Sequence, residues 1–201
     1  MASATPAEVL LLVDAANGFN NQSRYGMMWT VRHRCPKMFR FTFNCYCHEI
    51  TLICRQPGGE IVTILSKEGV TQGDPLAMDL YGIALLPLAE LLRKEFPEVL
   101  QPWFADDAAM QGAPLRVGKC FKLLTEVGSM FWYLPEPDKS FAICPLASEE
   151  GVLAAFGSEG LDVKACRGDR YIGGYVGLLE MRNRSIGPKV DSWVAAVKLS
   201  P

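Results

Sequence analysis

At residues 103–111 the chain reads Trp103-Phe-Ala-Asp-Asp-Ala-Ala-Met-Gln111, which predicts two short strands that meet at two adjacent aspartates. Adjacent aspartates at the tip of a hairpin are common as solvated turn residues. Here the residues on both sides are apolar, so two carboxylates would be held beside a core, where they repel each other. Such a pair favours a bound cation, and we interpret Asp106 and Asp107 as candidate metal ligands.

A third carboxylate follows the first apolar run of the chain. Residues 8–13 read Glu8-Val-Leu-Leu-Leu-Val13 and predict a buried strand that ends at Asp14. Taken alone, Asp14 is more often a residue that caps the following turn. Beside Asp106 and Asp107, however, it would complete a set of hard oxygen donors that suits Mg²⁺. Two Mg²⁺ ions about 3.5–4 Å apart, with Mn²⁺ as a substitute, would support phosphoryl transfer.

The other patterns predict strands and helices without the regular alternation of a parallel α/β fold. Asp74 and Pro75 form a helix start signal, and Gln56-Pro-Gly-Gly59 is typical of a hairpin turn. Helices are predicted at 22–34, 76–96, 115–133, 148–156 and 188–199, and further strands at 39–47, 49–55, 60–66, 139–144, 161–166 and 170–176. This order predicts an α+β fold in which helices pack on one face of an antiparallel sheet.

The composition is that of a globular protein with a substantial core: 201 residues, 49% hydrophobic and 21% charged. The net charge of −2 counts against a self-sufficient nucleic-acid binder. We expect no membrane partner and no signal peptide, because no apolar run has the length of a membrane span and no basic residue precedes the first apolar run.

The cysteines indicate the cellular compartment. Seven cysteines without a CxxC pair fit reduced thiols of an intracellular protein, nuclear or cytoplasmic. A zinc site at Cys45-Tyr-Cys47-His48 is a weaker alternative, since no second ligand pair is suitably spaced.

Five motifs, taken in order, resemble the palm of reverse transcriptases (RNA-directed DNA polymerases). They are Asp14-Ala-Ala-Asn-Gly-Phe19, Gly69-Val-Thr-Gln-Gly-Asp-Pro-Leu76, Phe104-Ala-Asp-Asp107, Pro137-Asp-Lys-Ser140 and Tyr171-Ile-Gly-Gly174. The second motif has the form found in group II intron and non-LTR retrotransposon enzymes. Each motif alone is weak, whereas all five in family order at plausible spacing are a strong signal. The resemblance covers about residues 8–198 and implies a palm-like antiparallel sheet with a ferredoxin-like or RRM-like core.

The resemblance also implies catalytic roles. Asp14 and Asp106 would hold two Mg²⁺ ions, and Asp107 would be a supporting carboxylate. Lys139 would approach the triphosphate and protonate the leaving pyrophosphate. From the residues alone, without the resemblance, Lys139 is equally well interpreted as a solvated surface lysine.

Further residues are implied to bind the substrates, namely a dNTP and an RNA or DNA template with its primer. Phe19 would lie under the sugar and exclude a 2′-hydroxyl, although a plain core phenylalanine explains it as well. Gln72 and Gly73 would lie along the nucleotide and the template. The primer-grip residues would be Tyr171, Gly173 and Gly174.

The resemblance further suggests an organisation for the chain. Residues 8–145 would be the catalytic core of the palm, 146–178 its distal strands with the primer grip, and 179–201 the start of a thumb or connection helix. The fingers, the thumb and any RNase H or endonuclease domain of such enzymes would lie outside these residues. We therefore expect the 201 residues to bind primer–template weakly and to polymerise poorly or not at all.

Three other interpretations remain open. The chain would be a non-catalytic remnant of a retroelement if its folded palm has lost activity. It would be an RNA-dependent RNA polymerase palm if Ala105 and Phe19, which favour a reverse transcriptase, do not determine the choice of nucleotide. It would be an α+β binding module if its aspartates are turn residues, in which case Asp14 and Asp106 need not share a face of the sheet.

Overall fold

The computed structural model of this chain describes residues 8–71 and 73–199. It forms two compact units. The first contains the described residues up to Asp14, Phe96–Lys122 and the described residues from Glu136 onwards. The second contains Ala15–Glu95 and Leu123–Pro135.

Strands and helices alternate irregularly along the chain, as an α+β fold requires. In chain order they are β1 (Val9–Val13), α1 (Gly18–Asn21), α2 (Arg24–Arg34), α3 (Pro36–Tyr46), β2 (Ile50–Arg55), β3 (Ile61–Ser66), α4 (Ala77–Glu95), β4 (Trp103–Phe104), β5 (Asp107–Gly112), α5 (Pro114–Val127), β6 (Phe141–Ile143), α6 (Glu149–Ser158), β7 (Lys164–Cys166), β8 (Gly168–Tyr171), β9 (Gly174–Gly177) and α7 (Leu179–Leu199). Single 3₁₀ turns lie at Gly128–Phe131, Pro137–Lys139 and Leu146–Ser148.

The first unit is built on a five-stranded sheet with the order β4-β5-β1-β6-β7. Its strands are antiparallel except for the parallel pair β6–β7, so the sheet is mixed and not purely antiparallel as predicted. Leu11 and Leu12 point to opposite faces and are both buried, which shows that both faces of β1 are covered. On the Leu12 face, Tyr171 and Val176 of the separate hairpin β8–β9 pack against the core.

The second unit consists of helices and one hairpin. α2 packs against α3 and α4, and β2 pairs with β3 alone. Ser23 caps α2 by accepting a hydrogen bond from the Gly26 N–H, 3.2 Å away. The predicted start signal before α4 is confirmed, because the Asp74 carboxylate accepts a hydrogen bond from the Leu76 N–H at 2.9 Å and another from the Tyr46 hydroxyl.

Three predicted elements are wrong. Residues 39–47 form part of α3 and not a strand, because Pro36 starts a helix and the buried Thr42 and Tyr46 are one turn apart. Residues 170–176 are not one strand, since the chain reverses between β8 and β9. The last helix begins at Leu179 rather than at Pro188, which lies inside α7.

Among the described residues, no helix combines the length and the hydropathy that a bilayer crossing needs.

Candidate active site

Asp14 and Asp107 lie on the same face of the five-stranded sheet. β1 and β5 are antiparallel, with Leu12 opposite Ala109. Because side chains alternate between the faces of a strand, Asp14, two residues after Leu12, and Asp107, two residues before Ala109, share the face of that pair. Both carboxylates line one cavity. The register therefore brings together two of the three predicted metal ligands.

The hairpin that carries Asp107 has a strained turn. Phe104 pairs with Asp107, so Ala105 and Asp106 form a two-residue loop. Ala105 has a φ of 55°, in a left-handed region that costs a non-glycine residue about 1–2 kcal/mol. Strain of this kind is concentrated at functional sites. Asp106 lies in this loop, next to the cavity-lining Asp107.

The cavity beside the two aspartates has a volume of about 480 Å³ and mixes carboxylates with cations. The cations are Lys139, Lys164 and Arg170. Lys164 and Arg170 were missed by the sequence analysis, and within the described part of the chain neither side chain forms an ion pair. Lys164 reaches the site because β7 pairs in parallel with β6, which places it opposite Phe141. Further lining residues are Leu12, Val13, Asp138, Phe141, Asp169 and Tyr171.

The environment of Asp107 disfavours its negative charge. Burial raises the pKa of the Asp107 carboxyl above its ordinary value, and the charges of Asp106 and Asp14 raise it further. The charges of Asp14 and Asp106 thus both act on Asp107, although Asp14 comes from a separate part of the sequence. A bound cation would offset this repulsion.

The loop at residues 136–140 is tied to the backbone of Asp14. The Glu136 N–H donates a hydrogen bond to the Asp14 carbonyl at 2.9 Å, and the Asp14 N–H approaches the Ser140 hydroxyl oxygen at 3.4 Å. Ser140 is fully buried and in turn donates to the Glu136 carbonyl. Lys139 projects from this loop and pairs with Glu136, which raises the pKa of its ammonium group, with Asp14 as a weaker contributor. Lys139 therefore stays protonated at the edge of the cavity.

Tyr171 faces the carboxylates, whereas the rest of its motif forms a turn. Its buried hydroxyl has no hydrogen-bond partner among the described residues. Burial raises the pKa of this hydroxyl, and the charge of Asp107 raises it further.

Ile172 and Gly173 form the two-residue loop between β8 and β9, with φ values of 48° and 74°. Both signs are those of a type I′ turn, in which Gly173 is suited to its position and Ile172 is not. Gly174 begins β9, opposite Tyr171.

Replacing Ile172 by Asn is expected to stabilise the protein by about 1 kcal/mol, because a β-branched residue in the left-handed region is strained and Asn-Gly is the preferred type I′ pair. Urea unfolding followed by circular dichroism measures the change. Ile172→Val is the matched control, since it keeps the branched side chain and should give no gain. An unchanged or lower stability for Ile172→Asn would show that the turn is not strained.

The nucleotide-binding residues predicted from the first two motifs belong to the second unit. The Phe19 ring stacks on Tyr81, with centroids 4.8 Å apart and 21° between the planes. A Cβ added to Gly69, whose φ is 78°, would lie 2.5 Å from the Phe19 carbonyl oxygen, so glycine is required there. Gly73 is exposed with open space around it. Gln72 lies outside the described residues.

Arg24 organises this second unit and was missed by the sequence analysis. Its side chain is buried and donates hydrogen bonds to the carbonyl oxygens of Gly69, His48 and Ser66 and to the Ser66 hydroxyl, at 2.8–3.2 Å. The guanidinium also lies 5.5 Å from the ring centre of Tyr46. One residue thus holds the second motif to the ends of the β2–β3 hairpin.

Within residues 8–71 and 73–199, no three His, Cys, Asp or Glu side chains are grouped closely enough to form a metal-binding site. All seven cysteines are free thiols, and the zinc alternative gains no support. Asp14 and Asp107 supply two hard oxygen donors to the cavity, and Asp106 acts on Asp107 electrostatically. That donor chemistry suits Mg²⁺, whose binding stays a prediction.

Solved structures of telomerase have a similar fold over most of this chain. Apo telomerase from Candida tropicalis matches 87% of the chain with a TM-score of 0.58 and 12% identity. Telomerase from Candida albicans, in complex with a TWJ fragment of telomeric RNA, matches 86% with a TM-score of 0.60 and 11% identity. The chain therefore shares its fold with part of these telomerase chains.

At 11–12% identity the likeness shows the fold alone. The chain spans about a third of the length of these telomerase chains, 32% and 30% respectively. No protein-family model matches the sequence, and no curated protein matches it significantly.

Proposed function

We propose that this chain carries the catalytic centre of an RNA-directed DNA polymerase of the lineage that includes group II intron and non-LTR retrotransposon enzymes. The reaction would join a dNTP to the 3′-hydroxyl of a primer and release pyrophosphate. The observation that carries the proposal is the cavity in which Asp14 and Asp107 meet Lys139, Lys164 and Arg170. Phosphoryl transfer by this class of enzyme needs carboxylates for metal ions and cations for phosphate oxygens in the same place.

The carboxylates have a defined part in this proposal. The family resemblance assigns the divalent cations to Asp14 and Asp106, with Asp107 in support. Because Asp107 and not Asp106 lines the cavity with Asp14, Asp107 would hold a cation as well. Mg²⁺, when bound, supplies charge stabilisation to the attacking and leaving oxygens. The raised pKa of Asp107 supports this role, because a carboxyl that is costly to ionise alone gains most from a cation. The strained Ala105 turn supports it too, since it holds Asp106 and Asp107 in place.

The cations would bind and orient the triphosphate. Lys164 and Arg170 have no ion-pair partner among the described residues, so their charges are available to phosphate oxygens. Lys139 keeps its proton because its pKa is raised by Glu136, and it could deliver that proton to the departing pyrophosphate. Ser140 would position both Lys139 and Asp14 through its buried hydroxyl.

The substrates follow from the same proposal. Partners would be an RNA or DNA template with its primer, and Phe19 would favour deoxynucleotides by crowding a 2′-hydroxyl. Tyr171, Gly173 and Gly174 would contact the primer. Two observations support a primer contact by the β8–β9 hairpin: Tyr171 lines the cavity, and the backbone at Gly173 is open on its outer side.

Primer extension tests this function. The protein is incubated with a primed RNA template and Mg²⁺, and incorporation of dNTPs is compared with incorporation of rNTPs. We expect template-dependent dNTP addition that is weak, exceeds rNTP addition at least about tenfold and stops in EDTA. Preferential rNTP addition would instead favour an RNA-dependent RNA polymerase. Addition that persists in EDTA, or that is as fast with Asp107→Asn as with the wild type, would overturn the catalytic proposal.

A further inference from the structure

Residues 15–48 of the second unit carry positive charge without any carboxylate. They contain five Lys and Arg residues and both histidines but no Asp or Glu, although the whole chain has 22 acidic and 20 basic residues. Two of the five cations are buried or ion-paired. The other three, Arg32, Lys37 and Arg40, are exposed, and none forms an ion pair within the part of the chain that the structure describes. The net charge of −2 therefore coexists with a locally basic surface.

The position of Lys37 is not explained by the stability of its helix. Lys37 is the second residue of α3, which begins at Pro36 and has no acidic residue in its first turn. A helix carries partial positive charge at its N-terminus, so a cation there is unfavourable, whereas Arg32 in the last turn of α2 is favourable. A cation in an unfavourable position indicates a role outside the helix.

Phenylalanine rings lie exposed among these cations. Phe41 is 58% exposed and Phe43 is 46% exposed. Phe41 follows Lys37 by four residues and Phe43 follows Arg40 by three, so each ring has a cation as its neighbour on the surface of α3. A ligand that covers this surface would need flat apolar faces and negative charges at close intervals.

Arg32 connects α2 to the rings of α3. Its guanidinium carbon lies 5.6 Å from the centre of the Phe39 ring, and the Phe39 and Phe43 rings have centroids 5.8 Å apart. These contacts hold a guanidinium and two rings in a continuous row of planar groups. We call the set of these cations and rings the basic–aromatic surface, namely Arg32, Lys37, Phe39, Arg40, Phe41 and Phe43.

We propose that the basic–aromatic surface binds single-stranded RNA. Lys37 and Arg40 would contact phosphates, and unstacked bases would stack on the rings of Phe41 and Phe43. A duplex fits less well, because its bases are stacked on one another and cannot reach exposed rings. An anionic membrane also fits less well, since helices that lie on membranes keep apolar and charged residues on opposite faces, whereas here rings and cations alternate.

This surface would hold RNA independently of the proposed catalytic cavity. None of its residues lines the cavity that contains Asp14 and Asp107. Binding of phosphates by lysine and arginine and stacking of bases on rings need neither a metal ion nor a dNTP. The choice of RNA over DNA rests on the proposed function, in which RNA is the template.

Fluorescence anisotropy of a labelled, unstructured RNA about 12 nucleotides long tests the inference, in EDTA and without dNTP. We expect the double variant Lys37→Gln/Arg40→Gln to bind at least about tenfold more weakly than the wild type in about 50 mM salt. The slope of log affinity against log salt concentration should become shallower by about 1.4, because two phosphate contacts are lost. Since EDTA removes metal ions, this assay can succeed where primer extension fails, and the reverse.

The matched control is Arg55→Gln/Lys119→Gln, which removes the same charges from exposed positions outside the surface and should change affinity by less than about twofold. Such an effect would be the general loss of positive charge.

A second pair of variants tests the rings. Phe43→Leu should weaken RNA binding at least about fivefold, whereas Phe43→Trp, which keeps a ring for stacking, should retain it. Circular dichroism confirms that each variant is folded. The inference is overturned if Lys37→Gln/Arg40→Gln binds RNA like the control, or if Phe43→Leu binds it like Phe43→Trp. Tighter binding of duplex RNA, single-stranded DNA, polyglutamate or phosphatidylserine vesicles than of the single-stranded RNA would overturn it as well.

Discussion

Asp107→Asn is expected to lower the rate of RNA-templated nucleotide addition by about 10³-fold or more. The reason is that the carboxylate lines the proposed catalytic cavity with Asp14 and would hold a divalent cation. Such a cation contributes several kcal/mol of transition-state stabilisation, and each 1.36 kcal/mol is tenfold in rate. The measurement is single-turnover primer extension at saturating Mg²⁺. Asp14→Asn should give a loss of the same order.

The matched control is Asp162→Asn, which changes an exposed aspartate of the same unit that does not line the cavity. It should retain wild-type activity. A loss of activity confined to Asp162→Asn, or equal losses in all three variants, would show that the effect is not specific to the cavity.

Loss of the fold is not the expected cause of inactivity in Asp107→Asn. Because the pKa of Asp107 is raised in the folded state, that state binds the proton more tightly than the unfolded chain does. The contribution of Asp107 to the stability of the metal-free wild type therefore falls as pH rises from the ordinary value of 3.8 through the raised pKa, and it stays unfavourable at higher pH. Asn carries no charge, so in EDTA at neutral pH the variant should be at least as stable as the wild type. The difference in unfolding free energy between Asp107→Asn and the wild type, measured in urea and EDTA at pH 4 and pH 8, checks this sign and should favour the variant more at pH 8.

Arg24→Met is expected to destabilise the protein by about 3–5 kcal/mol, the largest effect on stability that we predict. The substitution removes four hydrogen bonds from a buried guanidinium and leaves carbonyl groups of Gly69, His48 and Ser66 without their donor. Hydrogen bonds to charged groups are each worth about 1.5–3 kcal/mol, but losses in one network do not add fully. Urea unfolding measures the change in the free energy of unfolding.

Two comparisons show whether the geometry of Arg24 or merely its charge matters. Arg24→Lys keeps the charge but cannot donate in several fixed directions, so an intermediate loss is expected. Arg55→Met removes an exposed arginine from the same unit and should change stability by no more than about 0.5 kcal/mol. If Arg24→Met behaved like Arg55→Met, Arg24 could not be what holds the second motif in place.

The parts of the fold that could be predicted from the sequence are those with strong local patterns. The apolar run before Asp14 and the residues around Asp106 and Asp107 specify strands, and these strands pair so that Asp14 and Asp107 share a face. The start of α4 is likewise encoded locally by Asp74. The capping bond of Asp74 joins it to a residue two positions away, and the apolar pattern that marks a strand is also local, although the pairing of that strand is not.

The parts that could not be predicted depend on partners far along the chain. Lys164 enters the cavity only because β7 pairs in parallel with β6, and no local pattern specifies that register. Arg24 looks like an ordinary helical arginine, since its acceptors lie 24–45 residues away. The turn at Ile172 was missed because isoleucine is a poor residue for a positive φ, so the sequence favours an extended strand there.

The most direct test of the proposed catalytic centre is Mn²⁺ binding, measured by electron paramagnetic resonance of the free ion in titrations of the wild type, Asp107→Asn and Asp162→Asn. We expect Mn²⁺ to bind the wild type and Asp162→Asn alike, and Asp107→Asn at least about tenfold more weakly, with Mg²⁺ competing for the same site. Equal Mn²⁺ affinity in all three proteins would contradict a metal site at Asp14 and Asp107.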